Sequence, residues 1–243
     1  MDVSVIMAVH NEERYLPRSL SALAKSEFKE FIVILDRCTD NSENIVKKFF
    51  PKAKIVRKYS QKWKNSYAEN LHIGFNNAES DLICIHDADI ESPYNFLYKL
   101  TKYIKGSVVS VSPLIQTDKK ASFLNLLYYY WEKTYNFAPL GREPRGGVRL
   151  VKYSCLEEIG GFKDVEAPDT QLDLDLRRKG YQTRIVDEVI CLHLRKFSFS
   201  KAIHSQILSG RMRRKIKMPL WRVLGHSIIR LRPFVLYGYL RKD

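Results

Sequence analysis

Nowhere in the 243 residues does an apolar run reach the ~20 residues that a membrane-spanning helix needs. The opening residues, Met1-Asp2-Val3-Ser4-Val5, carry neither the basic stretch nor the apolar core of a secretory leader, so a cytosolic setting is the expectation. Cysteine is scarce. The four present, Cys38, Cys84, Cys155 and Cys191, stand far apart with no Cys-x-x-Cys pair, which argues against zinc and disulfides and for reduced thiols. There is no internal repeat and no low-complexity tract. Acid is the remaining shortage, and it is local. From Arg195 to Asp243 there are 13 Lys/Arg and a single acid, Asp243, a net +12, whereas residues 1–194 hold 28 bases against 26 acids. A near-neutral body followed by a basic final fifth implies an anionic partner for that last part.

What is present is the material of one large domain or a domain with an appendage, 45% apolar and 12% aromatic. Apolar, β-rich runs at Val3 to Val9, Phe31 to Leu35, Ile55-Val56, Leu82 to His86 and Val108 to Val111 read as strands. Between them lie helical patterns. Pro17 opens one with Leu16, Leu20 and Leu23 on a face; a second runs to about Phe50; a third spans Asn65 to Asn77. Ser92-Pro93 is expected to cap and start a fourth, carrying Phe96, Leu97, Leu100 and Ile104. Strands alternating with helices predict an α/β fold with a mainly parallel sheet.

Ligands of such sheets sit at the carboxyl ends of strands. That rule gathers three polar loops on one edge: His10-Asn11-Glu12, Asp36 to Asp40, and Asp87-Ala88-Asp89. Two carboxylates at i and i+2 on a short extended turn can point the same way. Hard divalent cations take oxygen ligands, and Mg²⁺ commonly keeps positions for substrate phosphates. The pair therefore reads as a place to hold a metal and, through it, a diphosphate; alone, a solvated turn explains it as well.

The second half is less regular. Phe123 to Phe137 is aromatic and helical in pattern, and Pro139 to Gly147 is a loop containing Arg142, Arg145, Gly146 and Gly147. Val148 to Val151 is a strand candidate, and Tyr153 to Ile159 a short helix closed by Gly160-Gly161. Asp169 to Gly180 has acids first, bases last and a terminal glycine, the charge order that complements a helix dipole. Ile185 to Leu194 is extended and contains His193.

These residues together resemble family-2 glycosyltransferases of the GT-A fold, including dolichyl-phosphate sugar synthases. Five stretches match in order over about residues 3–195: Val5-Ile-Met-Ala-Val-His-Asn-Glu12, the Asp36…Thr39-Asp40 turn, Asn70-Leu-His-Ile-Gly74 ahead of Asp87-Ala-Asp89, Glu158-Ile-Gly-Gly-Phe162, and Asp169…Gly180. The resemblance implies a GT-A catalytic domain over 1–195, with a nucleotide-sugar half (1–113) and an acceptor half (114–195). A basic amphipathic, helical appendage follows over 196–243. It assigns the donor nucleotide to Ala8, Asn11, Glu12, Asp36 (nucleobase) and Asp87 (ribose or base). It gives Asp89 to a Mg²⁺ or Mn²⁺ ion bridging the diphosphate and makes Asp169 the general base of an inverting transfer. His193 falls where some members place a further metal or phosphate contact. The sequence departs from the pattern in having Pro168 before Asp169, Gln171 where an acid is common, and Leu35 in place of one of a pair of acids.

Such a transfer needs the leaving diphosphate neutralised, a proton removed from the acceptor hydroxyl, and water kept out. Asp89 with a cation suits the first, Asp169 the second, and the loop around Arg142, Arg145, Gly146 and Gly147 is a lid or acceptor contact for the third. The basic tail sets Arg211, Arg213, Arg214, Lys215 and Trp221 beside aliphatic residues, which suits an anionic membrane surface. Nucleic acid is the rival partner for that charge. The expectation is a peripheral enzyme at the cytoplasmic membrane face, using a UDP- or GDP-linked sugar and a polyprenyl-phosphate lipid or glycan acceptor. A nucleotidyltransferase is an alternative, although Ala8 to Glu12 lacks the glycine-rich first loop that class uses. A non-catalytic nucleotide- or nucleic-acid-binding protein is another.

Overall fold

The computed structural model describes residues 1–133 and 146–241. The strands are β1 (Val3–Val9), β2 (Glu30–Asp36), β3 (Lys54–Lys58), β4 (Leu82–His86), β5 (Ile90–Glu91), β6 (Val108–Thr117), β7 (Val148–Lys152) and β8 (Gln182–His193). The helices are α1 (Leu16–Leu23), α2 (Ser42–Phe49), α3 (Ser66–Asn76), α4 (Phe96–Thr101), α5 (Phe123–Lys133), α6 (Tyr153–Glu158), α7 (Pro168–Arg178), α8 (Phe199–Lys215), α9 (Leu220–Ile229) and α10 (Pro233–Leu240). Among the described residues the chain forms two compact units. One comprises residues 1–116 and 146–194, the other 117–133 and 195–241.

The first unit is built on a sheet ordered β3-β2-β1-β4-β7-β6-β8-β5. β3, β2, β1 and β4 run parallel, and β7 is antiparallel to both β4 and β6. β1 and β2 are buried along nearly their whole length because helices cover both faces. Val3, Val5, Met7 and Val9 pack on one side with Leu16, Leu20 and Leu23 of α1 and Phe96, Leu97 and Leu100 of α4. Ile6, Ile32 and Ile34 pack on the other with Leu71 and Phe75 of α3 and Leu172 and Leu176 of α7. This is the period-2 alternation of a pleated strand with an apolar residue on each face. α3 lies so close to β1 that a Cβ on Gly74 would collide with Ile6, so only glycine fits.

Two local expectations change. Ser92-Pro93 does not start a helix: α4 begins at Phe96, after Asn95 in the left-handed conformation at φ 51°. Ser92 is instead engaged with His86, its hydroxyl 2.7 Å from Nε2. The strand expected over Val108 to Val111 runs on to Thr117.

The second unit is helical. Asn125 of α5 ties its segments together, donating to the carbonyls of Asp118 (3.2 Å) and Arg195 (3.0 Å) and accepting from the Phe197 N–H at 2.7 Å. Tyr128 stacks against Trp131 and Phe197, and the Arg232 guanidinium lies 5.0 Å from the Trp131 ring centre. α8 and α10 approach at Gly210 and Gly238, where a Cβ would strike the carbonyls of Val235 and Ile207. That packing occupies a face of α8. Trp221 and Ile228, seven residues apart on α9, remain 69% exposed, and Leu231 65%. Arg214 and Lys215 are exposed, and Arg211 and Arg213 half-buried. No described helix is long and apolar enough to cross a membrane.

Candidate functional site

The carboxylates of the Asp87-Ala88-Asp89 turn emerge where β4 ends and β5 begins. Asp89 is buried, and its carbonyl accepts from the Leu194 N–H at 2.9 Å. Ile90 pairs with His193 across the β5–β8 ladder, which brings His193 Nε2 to 3.4 Å from Asp89 Oδ2. Asp87 is half-buried and its N–H donates to the Gly147 carbonyl at 2.7 Å. His86 beneath them is fully buried, with Nδ1 3.0 Å from the Asp87 carbonyl. Burial pushes its imidazole down to about 4, so the neutral ring serves as a brace for the turn.

A helix start connects this turn to Asp169. Asn65 caps α3 in extended conformation, its side-chain oxygen accepting from the N–H groups of Tyr67 (3.0 Å) and Ala68 (3.2 Å). Tyr67 then donates its hydroxyl to Asp87 Oδ1 at 2.8 Å. Burial, followed by the charges of Asp87, Asp169 and Asp89, pushes the phenol well above its ordinary value, so it stays a protonated donor. The Asn65 cap is bolted to the segment leading into α7. Asp164 accepts from the N–H groups of Lys64 and Asn65, each at 2.9 Å, and the Asn65 amide donates to the Val165 carbonyl at 2.7 Å.

Asp169 stands half-buried in the first turn of α7, where a carboxylate also complements the helix dipole. Gly146 packs directly on its carboxylate, leaving no room for a Cβ, and Gly147, at φ 111°, lies beside Ile90 and Asp87 Oδ2. A small cleft is lined by Tyr67, Leu71, Ile85, Gly146, Gly147, Arg149, Asp169 and Leu172. Its wall is held by a buried ion pair, Arg149 Nη1 to Asp173 Oδ1 at 2.7 Å and Nη2 to Oδ2 at 3.3 Å. Asp173, one turn after Asp169, is thus engaged in holding α7 to β7.

Asp36 ends β2 almost fully buried. It accepts from Arg37 Nε (2.8 Å), Asn70 Nδ2 (3.0 Å) and the Ser66 hydroxyl, with Lys58 Nζ 3.3 Å away. Burial alone would raise its pKa, but these hydrogen bonds and the Lys58 charge outweigh it and hold the carboxyl well below the usual range. Lys58, itself buried, also pairs with Glu69 at 3.1 Å.

Ala8 sits half-buried near the end of β1. Asn11, at φ 54°, accepts from the Thr39 N–H at 2.8 Å, and the Glu12 N–H donates to Ser42 at 2.9 Å. Both residues therefore tie the first loop to the second. Arg142 and Arg145 lie outside the described residues.

Tyr67, Lys58, Glu69 and Arg149 were not among the residues expected from the sequence. Asn70 stood in a matched stretch, and Asn65 was the expected start of a helix. Nothing local marks the others, whose partners are distant in sequence.

Residues 4–150 match the family model "Glycosyl transferase family 2", and the chain belongs to that family. It is 26% identical over 208 residues to the probable glycosyltransferase YdaM of Bacillus subtilis (strain 168), a match spanning 77% of this chain and 49% of that protein. The chain thus spans about half the length of the curated relative it matches. Among solved structures it is similar to the mannosyltransferase PcManGT of Pyrobaculum calidifontis, in complex with GDP-Man and Mn²⁺. That likeness has a TM-score of 0.71 and 21% identity, covering 98% of this chain and 70% of that one. It is also similar to glucosyl-3-phosphoglycerate synthase of Mycobacterium tuberculosis, in complex with Mn²⁺, UDP and glucosyl-3-phosphoglycerate (TM-score 0.60, 15% identity, 85% and 77% coverage). The fold is that of the GT-A glycosyltransferases.

Proposed function

We propose that this family 2 chain is a metal-dependent, inverting glycosyltransferase. It moves a sugar from a UDP- or GDP-linked donor to a polyprenyl-phosphate lipid or a glycan at the cytoplasmic membrane face. The observation that carries the reading is the convergence of three carboxylates, Asp87, Asp89 and Asp169, around Tyr67 at the carboxyl edge of the parallel strands.

Asp89 and His193 suit Mg²⁺ or Mn²⁺. Their facing atoms are 3.4 Å apart, near the ~3 Å that separates neighbouring ligands of an octahedral ion with bonds of ~2.1 Å. No three His, Cys, Asp or Glu among the described residues form a self-contained metal cage, so a cation here would draw its other ligands from donor phosphates and water. When bound, such an ion neutralises the leaving diphosphate. Asp87 holds the donor ribose or base and Asp36 the base, while Asn11, Glu12 and Ala8 shape the floor of the nucleotide site. Asp169 accepts the proton of the acceptor hydroxyl on the face opposite the leaving group, which inverts the anomeric centre. With a phosphate as acceptor, Asp169 orients it instead. Gly146 and Gly147 form the acceptor side.

The solved relatives support the donor and cation, since one holds GDP-Man with Mn²⁺ and another UDP with Mn²⁺. The membrane setting is supported by exposed Trp221, Ile228 and Leu231 within a segment of net charge +12. A thermal-shift panel of UDP, GDP and their sugars, with and without Mn²⁺, tests the core of the reading, because a ligand of the native state raises Tm. At least one nucleotide should stabilise the wild type in a Mn²⁺-dependent manner and leave Asp89→Ala unmoved. Equal shifts in the two proteins would overturn it.

A further inference from the structure

We propose that Tyr67 is a positioning residue for the donor, fixing the Asp87 carboxylate in one rotamer. The proposal rests on the glycosyltransferase reading above and adds a residue to it. A carboxylate at the end of a strand can turn about its terminal torsion, which is broad and roughly two-fold. Here one oxygen, Oδ1, takes the Tyr67 hydroxyl at 2.8 Å, which leaves Oδ2 on the side of Gly147. A Cβ at Gly147 would lie 3.8 Å from Oδ2, an ordinary contact distance, and it is the φ of 111° at that position that favours glycine. Tyr67 thus fixes the plane of the Asp87 carboxylate, with one oxygen engaged and the other on the Gly147 side.

Tyr67 can do this because its own place is fixed twice. The Asn65 cap binds the Tyr67 N–H at 3.0 Å. Asn65 is in turn held by Asp164 at 2.9 Å and by the Val165 carbonyl at 2.7 Å, on the segment that delivers Asp169. One short helix start therefore sets the Asp87 rotamer and anchors the chain entering α7. The phenol supplies a donor that the carboxylate cannot strip of its proton, so the hydrogen bond persists through the working pH range. A serine or threonine at this point of α3 would not reach, and a lysine would bring a charge that competes for the carboxylate.

Tyr67→Phe removes one oxygen and keeps the ring. In steady-state assays with Mn²⁺ it should raise KM for the nucleotide sugar about tenfold, the scale of one hydrogen bond to a charged group, while kcat changes much less. In an Asp87→Asn background the same substitution should change KM less than twofold, because its target has gone. An equal KM effect in both backgrounds, or a loss confined to kcat, overturns the proposal. A second double-mutant cycle in ligand-free protein, read by thermal unfolding, separates this from the parent reading. If no nucleotide binds wild type, the glycosyltransferase reading fails. Tyr67 is then judged by the unfolding cycle alone, where additive Tm losses for the two substitutions refute the link to Asp87.

Discussion

His193 Nε2 faces Asp89 Oδ2 at 3.4 Å because Ile90, the residue after Asp89, is the ladder partner of His193. A two-residue strand, β5, thus supplies the register that joins residues 104 positions apart. If a cation sits here, Asp89→Ala should abolish Mn²⁺-dependent stabilisation by nucleotide. His193→Ala should weaken the apparent Mn²⁺ affinity by roughly 10- to 100-fold, as loss of a metal-site group commonly does. Titrating Mn²⁺ at fixed nucleotide and following Tm checks both, and an unchanged midpoint in His193→Ala would remove that residue from the site.

Asp169 and Gly146 give a prediction about chemistry rather than binding. Asp169→Asn keeps the shape of the side chain and removes its ability to take a proton, so kcat should fall about 10²-fold or more with a hydroxyl acceptor while donor KM stays nearly constant. Gly146→Ala should produce a related loss by a different route, since its methyl group would displace the Asp169 carboxylate. Far-ultraviolet circular dichroism should show both variants folded. A kcat for Asp169→Asn within threefold of wild type would mean that Asp169 only orients the acceptor.

The arrangement of elements in the first unit was largely legible because buried parallel strands are unbroken apolar runs and the helices between them carry one apolar face. The runs at Val3 to Val9, Phe31 to Leu35 and Leu82 to His86 needed no tertiary information. Direction was not legible: nothing in Val148–Lys152 says that β7 is antiparallel to β4, since a residue pattern has no sign. Ser92-Pro93 misled because a serine hydroxyl that could cap a helix is equally able to meet a buried imidazole. The acids of the site were visible as polar strand exits. Their supports were not, because Lys58 with Asp36, Tyr67 with Asp87 and Arg149 with Asp173 are pairs 20 or more residues apart.

The Arg149–Asp173 pair lies buried at both ends, so its halves should be worth more together than either is alone. Arg149→Met should destabilise the protein by ~3–5 kcal/mol by leaving a buried carboxylate without its cation. Adding Asp173→Leu should recover much of that loss, because an apolar pair removes the stranded charge as well. Urea denaturation of the two variants checks this, and a double variant less stable than the single one would refute it.

Buried His86 predicts a dependence on acid. Its pKa is pushed down to about 4 in the folded protein, against about 6.5 for an unfolded histidine. Between those values the unfolded chain binds the extra proton, so folding stability rises with pH across that window. The contribution is complete above about pH 6.5 and is lost as pH falls toward 4, amounting to ~3 kcal/mol at most for a shift of this size. Denaturation midpoints from pH 7 to 4.5 should fall more steeply for wild type than for His86→Gln. Parallel curves would show that another group carries the acid sensitivity.

Trp221 and Ile228 decide the membrane question because they lie on one face of α9 and are each 69% exposed. Neither contributes to the buried side of that helix, where Val223, His226 and Ser227 lie, so replacing them should not unfold it. A basic segment alone would bind anionic vesicles by charge and release them in salt as screening shortens the reach of each arginine. Apolar insertion adds a component that salt does not remove. Flotation with vesicles containing anionic lipid should therefore recover wild type at both low and high salt. The double variant Trp221→Ser/Ile228→Ser should bind at low salt and be released at high salt. Binding by neither protein at low salt would exclude the membrane as the partner of the +12 segment, and a nucleic acid with a steep salt dependence would then be the probe to use.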